Sequence, residues 1–317
     1  MNIAHFWQGY AAGQRHFCNL ELQGLDGCDR NLAKINLWRS NLSQSRLRGA
    51  NLLGANLRHA CLQGADLRAA NLQAANLRGA DLRDACLVQA QFAGTIYDET
   101  TQFPQPRGAW QQEGYFIGPE ADLTGAQLSQ AGLDGVDLAA AKLKNALLHS
   151  ANLFGAVLSH SNLAGADLQR ANCSEADLSA ANLRNAVMTG IDLSFAQLQK
   201  ANLLGANLQG ANLQGANLQR SLYDDTTQLP AGFDPRAAGM FWIGPGACLW
   251  YANLSQANLA GVNLANAILI GSDLSKADLW GADLSQADLS ESELKSDHFA
   301  RGQSQRHSST CHISDAN

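Results

Sequence analysis

Apolar and polar residues follow one another in this chain with a period of five. A large apolar residue recurs every fifth position from Phe17 to Phe92, from Leu123 to Leu218 and from Leu249 to Leu294, giving 46 pentapeptides. Alanine stands two positions before this centre and Asn or Asp one before it, as in Ala50-Asn51-Leu52-Leu53-Gly54 and Ala211-Asn212-Leu213-Gln214-Gly215. A period of five fits neither a helix, at about 3.6, nor a flat strand, at about 2, and either element would scatter the leucines round its surface. The chain must therefore turn every five residues. Four pentapeptides closing one square coil satisfy this, with centre and alanine pointing inward and the other three positions outward. A large residue alternating with a small one lets stacked coils pack a narrow interior without voids. Departures are conservative: Phe17, Phe92, Cys173 and Met188 at the centre, and Val136, Ser161, Ile191 and Val262 in place of alanine. Gly27 is the one poor centre.

Two interruptions break the array, and they are copies of each other. The first runs from Tyr97-Asp98-Glu99-Thr100-Thr101-Gln102-Phe103-Pro104 to Tyr115-Phe116-Ile117-Gly118-Pro119. The second runs from Tyr223-Asp224-Asp225-Thr226-Thr227-Gln228-Leu229-Pro230 to Phe241-Trp242-Ile243-Gly244-Pro245. Asp and Thr supply side-chain oxygens for turns while the prolines forbid regular pairing, so each reads as an ordered loop that leaves the coil with its aromatics pinned to it. The expected organisation is an N-terminal cap at 1–16, repeat blocks at 17–96, 121–222 and 247–299, loops at 97–120 and 223–246, and a polar tail at 300–317 that reads as disordered.

The pentapeptide phrase resembles the pentapeptide-repeat family over most of the chain, and the resemblance implies an all-β fold, a right-handed quadrilateral β-helix. The run Thr227 to Pro235 is similar to an insert of cyanobacterial members. Some members of the family mimic duplex DNA and bind DNA gyrase. Those are more uniformly acidic on one face and dimerise through a C-terminal helix. Here the N-terminal third is basic, and residues 301–317 carry no amphipathic period.

Composition narrows the picture further. Hydrophobic residues make up 46% of the chain, but polar residues interrupt them too often for the roughly 20 apolar residues of a membrane span. The N-terminus lacks the basic and apolar regions of a secretory signal. Seven cysteines without Cys-x-x-Cys spacing suit reduced thiols in a cytoplasm. Charge divides along the chain: residues 1–96 hold ten Lys or Arg against six Asp or Glu, and residues 248–299 hold two against seven.

Stacking places outward residues 20 apart in columns. Asn36, Asn56 and Asn76 form one, Asn162, Asn182 and Asn202 a second, and Asn152, Asn172, Asp192 and Asn212 a third. They read first as hydrogen-bonded ladders and second as a regular polar face for a carbohydrate or ice-like ligand. Arg48 with Arg68, and Arg58 with Arg78, make basic columns on opposite faces. They lack the aromatic interleaving of single-strand binders, and the net charge of −6 argues against direct nucleic-acid binding. Outward apolar residues are rarer: Trp38, Leu53, Phe154, Leu204, Trp250, Ile270 and Trp280 each follow a centre. Trp250 lies under Ile270 with Tyr251 at the adjacent corner, and the second loop is expected to cover Trp250, leaving Trp280 as the exposed contact.

No catalytic constellation emerges. His149 and His160 fall on different sides, His307, Cys311 and His312 lie in the polar tail, and glycine marks turns rather than a phosphate loop. A filled leucine core leaves no internal site, and no cofactor or metal is implied. The expectation is a non-enzymatic interaction or scaffold protein with an unknown protein partner, the gyrase-binding regulator being the alternative. The acidic C-terminal end is the expected surface for an end-to-end homodimer.

Overall fold

The computed structural model describes residues 3–105, 113–255 and 257–294; part of the first loop, Phe299 and the 300–317 tail lie outside these. The period of five becomes a β-helical coil of 20. Parallel bridges join Asn31 to Asn51, Asn51 to Asn71, Asn152 to Asn172 and Asn172 to Asp192, so four pentapeptides complete each coil. Leucine and alanine face inward: Leu52, Ala55, Leu57 and Ala60 are buried, as are Leu153, Ala156, Leu158 and Leu163.

One repeat explains the motif. Asn51 N–H donates to Arg30 O at 2.9 Å and Leu52 N–H to Asn71 O at 2.7 Å, which tie the coil below and the coil above. Gly54 N–H donates to Gln73 O at 2.8 Å and Ala55 N–H closes a turn on Leu52 O at 2.9 Å. The remaining donor, Leu53 N–H, reaches the Asn51 side chain, Oδ1, at 3.2 Å. All five amides are thus satisfied, as a filled, dry core demands. Asn or Asp stands before the centre because its short side chain accepts from the amide two residues on. The last position of each repeat takes a left-handed backbone, at φ 63° in Gly54 and 56° in Ala69. No β-branched residue appears among the non-glycine residues there, where Cβ would meet the following carbonyl.

That conformation gives a direct test at Ala140, an exposed residue with φ 56°. Ala140→Gly is expected to stabilise by up to about 1 kcal/mol and Ala140→Val to destabilise by about 1–2 kcal/mol. Thermal melts of the two variants should move in opposite directions.

The chain forms two compact units, Met1–Gly132 and Leu133–Asn317. In the first, helix α1 (Ile3–Ala11) lays Phe6 against Phe17, with ring centroids 4.7 Å apart, and joins it to the leucine core. Each interruption forms a two-stranded parallel pair: β1 (Ile96–Tyr97) with β2 (Tyr115–Phe116) in the first unit, β3 (Leu222–Tyr223) with β4 (Phe241–Trp242) in the second. An Asp-x-Thr-Thr clamp opens both. Asp224 Oδ1 accepts from Thr226 N–H, both threonine hydroxyls and the Gly205 amide of the coil below. Asp98 does the same with Thr100, Thr101 and Gly79. The clamps absorb one extra residue, for Asp81 pairs with Gln102 and Asn207 with Gln228, each 21 positions on.

The asparagine ladders form between coils, as in Asn56 Nδ2 to Asn36 Oδ1 at 3.0 Å, Asn172 to Asn152 at 3.1 Å and Asn182 to Asn162 at 3.2 Å. Asn76 and Asn202 depart from the pattern. Asn76 Nδ2 donates to Gly132 O at 2.9 Å, and Asn202 Nδ2 to Asn258 O at 2.8 Å. Arg184 Nη1 adds a bond of 2.6 Å to Ala260 O. Residues 258–260 thus lie against the side of the coils carrying Asn202 and Arg184.

Candidate functional site

The basic columns behave differently according to the residue before the centre. In Ala-Asp-Leu-Arg repeats the arginine folds back on its own aspartate as a two-pronged pair. Arg68 Nε and Nη2 lie 2.8 and 2.6 Å from the Asp66 carboxylate, and Arg83 makes the same pair with Asp81 at 2.9 and 2.7 Å. The Arg68 hydrogen bonds, with the Arg68 amide, hold Asp66 down to about 2. In the Ala55-Asn56-Leu57-Arg58 repeat, asparagine stands where that aspartate would be and Arg58 is half-buried; Arg48, in Ser45-Arg46-Leu47-Arg48, is exposed.

Arg78, expected on the surface, is buried. Its Nη1 donates to Gly132 O at 3.3 Å, and Nε lies 3.6 Å from Asp98 of the clamp. It holds the returning chain instead of facing solvent, so the Arg58–Arg78 column is not a continuous basic stripe. The sequence shows Asp98 but not the fold-back of residue 132 that covers the guanidinium.

The aromatic positions separate as clearly. Trp250, Tyr251 and Trp280 are 62%, 72% and 65% exposed, and Ile270 is half-buried. Tyr251 N–H donates to Ile270 O at 2.9 Å, and its ring lies where a Cβ on Gly271 would stand, 2.3 Å from Cε1. Trp250, Tyr251 and Ile270 therefore form one corner, with Trp280 two pentapeptides round the coil. The second loop does not cover Trp250. Its Ile243 packs instead with Leu204, which is 2% exposed, and with Leu222 and the leucines of residues 249–289. Trp242 lies over Gly244 and donates from Nε1 to Asp225 at 2.9 Å. Leu204 is buried because the chain after the loop returns along that side of the coil, a contact between residues distant in sequence.

A site absent from the sequence reading lies in the second unit. A surface cleft of about 500 Å³ is lined by His160, Asp177, Gln197, Gln199 and Lys200 among others. It adjoins a recess of about 40 Å³ between Lys200, Arg220, Asn253 and Ser255. His160, Ala180, Lys200 and Arg220 share the turn position of successive coils, each amide bonded to the coil above. Their spacing of 20 in the sequence was the available signal; the wall supplied by Asn253, Leu254, Ser255 and Ala257 was not.

Among the described residues no group of three His, Cys, Asp or Glu side chains could hold a metal ion, and no helix is long and apolar enough to cross a membrane. Cys18, Cys28, Cys61, Cys86, Cys173 and Cys248 are free thiols. Burial pushes the Cys173 thiol up to about 12, which suits a packing residue and not a nucleophile.

Comparison with known proteins agrees with this chemistry. The pentapeptide repeats family matches in eight copies over residues 31–64, 60–96, 121–159, 146–185, 186–222 and 246–295. No curated protein matches. Among solved structures, the chain is similar to HetL, a pentapeptide repeat protein involved in heterocyst differentiation regulation from Nostoc sp. strain PCC 7120. The two are 30% identical, over 92% of this chain and 96% of HetL, with a TM-score of 0.27. It is also similar to Rfr23 of Cyanothece 51142, at 22% identity over 49% of this chain and 90% of Rfr23, with a TM-score of 0.30. QnrB1, a plasmid-mediated fluoroquinolone resistance protein, is 16% identical over 66% of this chain and 94% of its own, with a TM-score of 0.27. TM-scores this low carry no argument about how the blocks are arranged, but the family match spans more than half of the chain: this protein belongs to the pentapeptide repeat family.

Proposed function

We propose that this protein is a non-enzymatic interaction scaffold of the cyanobacterial cytoplasm. In this reading the repeats wind as a right-handed quadrilateral β-helix in three blocks, 17–96, 121–222 and 247–299, with the matched loops 97–120 and 223–246 between them. A cap at 1–16 and the tail at 300–317 complete the organisation. The exposed Trp250 and Tyr251 at one corner, and the exposed Trp280 half a coil away, carry the functional part. Large aromatic side chains held on stiff coils bind at low entropic cost and are enriched at the centres of interfaces. A leucine interior filled from coil to coil offers no enclosed substrate site, which supports binding over catalysis. Arg48 on one face, and Arg58 with its neighbour Trp38 under Arg39 at 4.5 Å on the opposite one, supply secondary polar surfaces, and end-to-end pairing through the acidic last coil belongs to the same reading.

The test is affinity capture from a cyanobacterial lysate with wild type and with Trp250→Ser/Trp280→Ser, read by mass spectrometry. A partner retained by wild type and lost by the double variant at unchanged thermal stability is the expected result; identical capture by both would remove these tryptophans from the interface. Addition of the protein to a DNA gyrase supercoiling assay is expected to leave the rate unchanged, whereas inhibition would favour the DNA-mimic reading.

A further inference from the structure

The corner of Trp250 and Tyr251 continues along its face as an apolar floor with an acidic rim. Bridges stack Cys248, Ile268 and Asp288 in one column, and Trp250, Ile270 and Ser290 form the next. In the first two coils of this face every outward residue flanking a centre is therefore apolar. In the third coil the character reverses: Asp288 stands over Ile268, and Glu291 over Gly271 and Tyr251. Both carboxylates are exposed and make no ion pair among the described residues. The Ser290 hydroxyl and amide hold Asp288 below the usual carboxylate value, so it is charged at neutral pH. Cations stand elsewhere: Lys276 at the next corner, one face on, and Lys200 and Arg220 against Asn253 and Ser255 of the first coil. The field over the face thus runs negative toward the third coil.

These features select the occupant. A convex corner cannot enclose a small molecule, which needs a concave site. Nucleic acid and anionic lipid are repelled by the rim. Pairing the corner with its copy would bring two acidic rims together. Trp250 and Tyr251, at 62% and 72% exposure, offer on the order of 300 Å² between them, well short of the roughly 800 Å² per partner of a standard interface. A short linear segment needs less area. Coils stack at about 4.8 Å, and alternate side chains of an extended chain repeat at about 6.7 Å. Two apolar side chains at i and i+2 therefore cover the levels of Trp250 and Ile270, and a side chain at i+4 reaches the level of Asp288 and Glu291.

We propose that this face binds an extended segment of the partner protein carrying apolar residues at i and i+2 and Lys or Arg from i+4 onward. The apolar pair packs on Trp250, Ile268 and Ile270, and the cations meet Asp288 and Glu291. The inference rests on the scaffold reading and names the chemistry of its partner.

The experiment is fluorescence anisotropy of the labelled peptide Leu-Ser-Leu-Ser-Lys-Ser-Lys on the full chain at low ionic strength, with a counterpart in which Glu replaces Lys. The basic peptide is expected to bind and the acidic one to bind at least about tenfold more weakly. Trp250→Ser should weaken binding about tenfold with its salt dependence kept, because an apolar anchor is lost. Asp288→Asn/Glu291→Gln should weaken it by a similar factor and flatten the salt dependence. Asparagine still accepts the amide two residues on, as Asn51 does, so the melting temperature should stay unchanged. Trp280→Ser should bind as wild type does. The proposal is overturned if the acidic peptide binds as tightly, if neither peptide binds, or if the Trp250 and carboxylate variants bind as wild type does. It is equally overturned if phosphatidylcholine vesicles bind this face more tightly than the peptide. Sedimentation showing a dimer that Trp250→Ser dissociates would assign the face to a second copy and overturn it too. Failure of the peptide with persistent tryptophan-dependent capture would reject this partner chemistry and keep the scaffold; loss of both would reject both.

Discussion

Replacing Leu163 by aspartate is expected to unfold several coils of the second unit. Leu163 is completely buried, and its amide and that of Ala166 hold the coil in place, donating to Asn182 O at 2.8 Å and Leu163 O at 3.0 Å. A carboxylate there has no cation or unused donor beside it, and an unpaired buried charge costs about 3–5 kcal/mol. Because each coil rests on the next, the loss spreads to neighbours as in other solenoids. Gln169→Asp, on the outer surface one repeat further on, is expected to change stability by less than about 0.5 kcal/mol. Circular dichroism melts distinguish the two, and equal shifts would mean that the inward and outward positions have been exchanged.

The second large effect is expected at the loop clamp. Asp224→Ala removes the acceptor shared by Thr226, Thr227 and the Gly205 amide. Hydrogen bonds to a charged acceptor contribute about 1.5–3 kcal/mol each, and their loss is not additive, so a destabilisation of about 3 kcal/mol is expected. The clamp is also acid-sensitive. Burial would raise the Asp224 pKa, but the bonds from Thr226, Thr227 and Gly205 outweigh it and hold the carboxyl below its usual value. A group lowered on folding stabilises above its unfolded pKa, about 3.9 for aspartate, and loses that contribution as pH falls through the folded value. Wild type should therefore exceed Asp224→Ala by a constant margin at neutral pH, and the margin should shrink below about pH 4. A margin that persists in acid would show that the variant acts through packing alone. Asp98, whose partners are Thr100, Thr101, Gly79 and Arg78, should behave alike in the first unit.

Much of the coil was legible without coordinates because its constraints are local and repeated. A large residue every fifth position and alanine two before it specify which side chains enter the core, and Leu52, Ala55, Leu57 and Ala60 do so. The asparagine position was read as a ladder between coils, which is part of its role. Its more general task, accepting the amide two residues on as Asn51 does from Leu53, follows from short-range chemistry and could have been read directly. The same holds for arginine: an aspartate two positions earlier captures Arg68 and Arg83, and asparagine at that place does not.

What the sequence by itself determined is the register: a period of five, a column spacing of 20 and which positions are core. Each of these depends on residues within one repeat or on its exact copy one coil away, so the pattern is written out many times over. Tertiary structure alone decided which outward residues stay outward. Leu204 and Trp250 occupy the same position in their repeats, yet one is buried and the other exposed, and Arg78 is buried while Arg48 is not. The difference arises where the chain leaves a loop and returns against an existing coil, through contacts such as Asn76 to Gly132 and Arg184 to Ala260. These join residues 56 and 76 positions apart, distances that are not multiples of a coil turn in register, so no periodicity could announce them. The cleft beside Lys200 and Gln199 has the same origin, since one of its walls belongs to the repeats and the other to the chain that comes back.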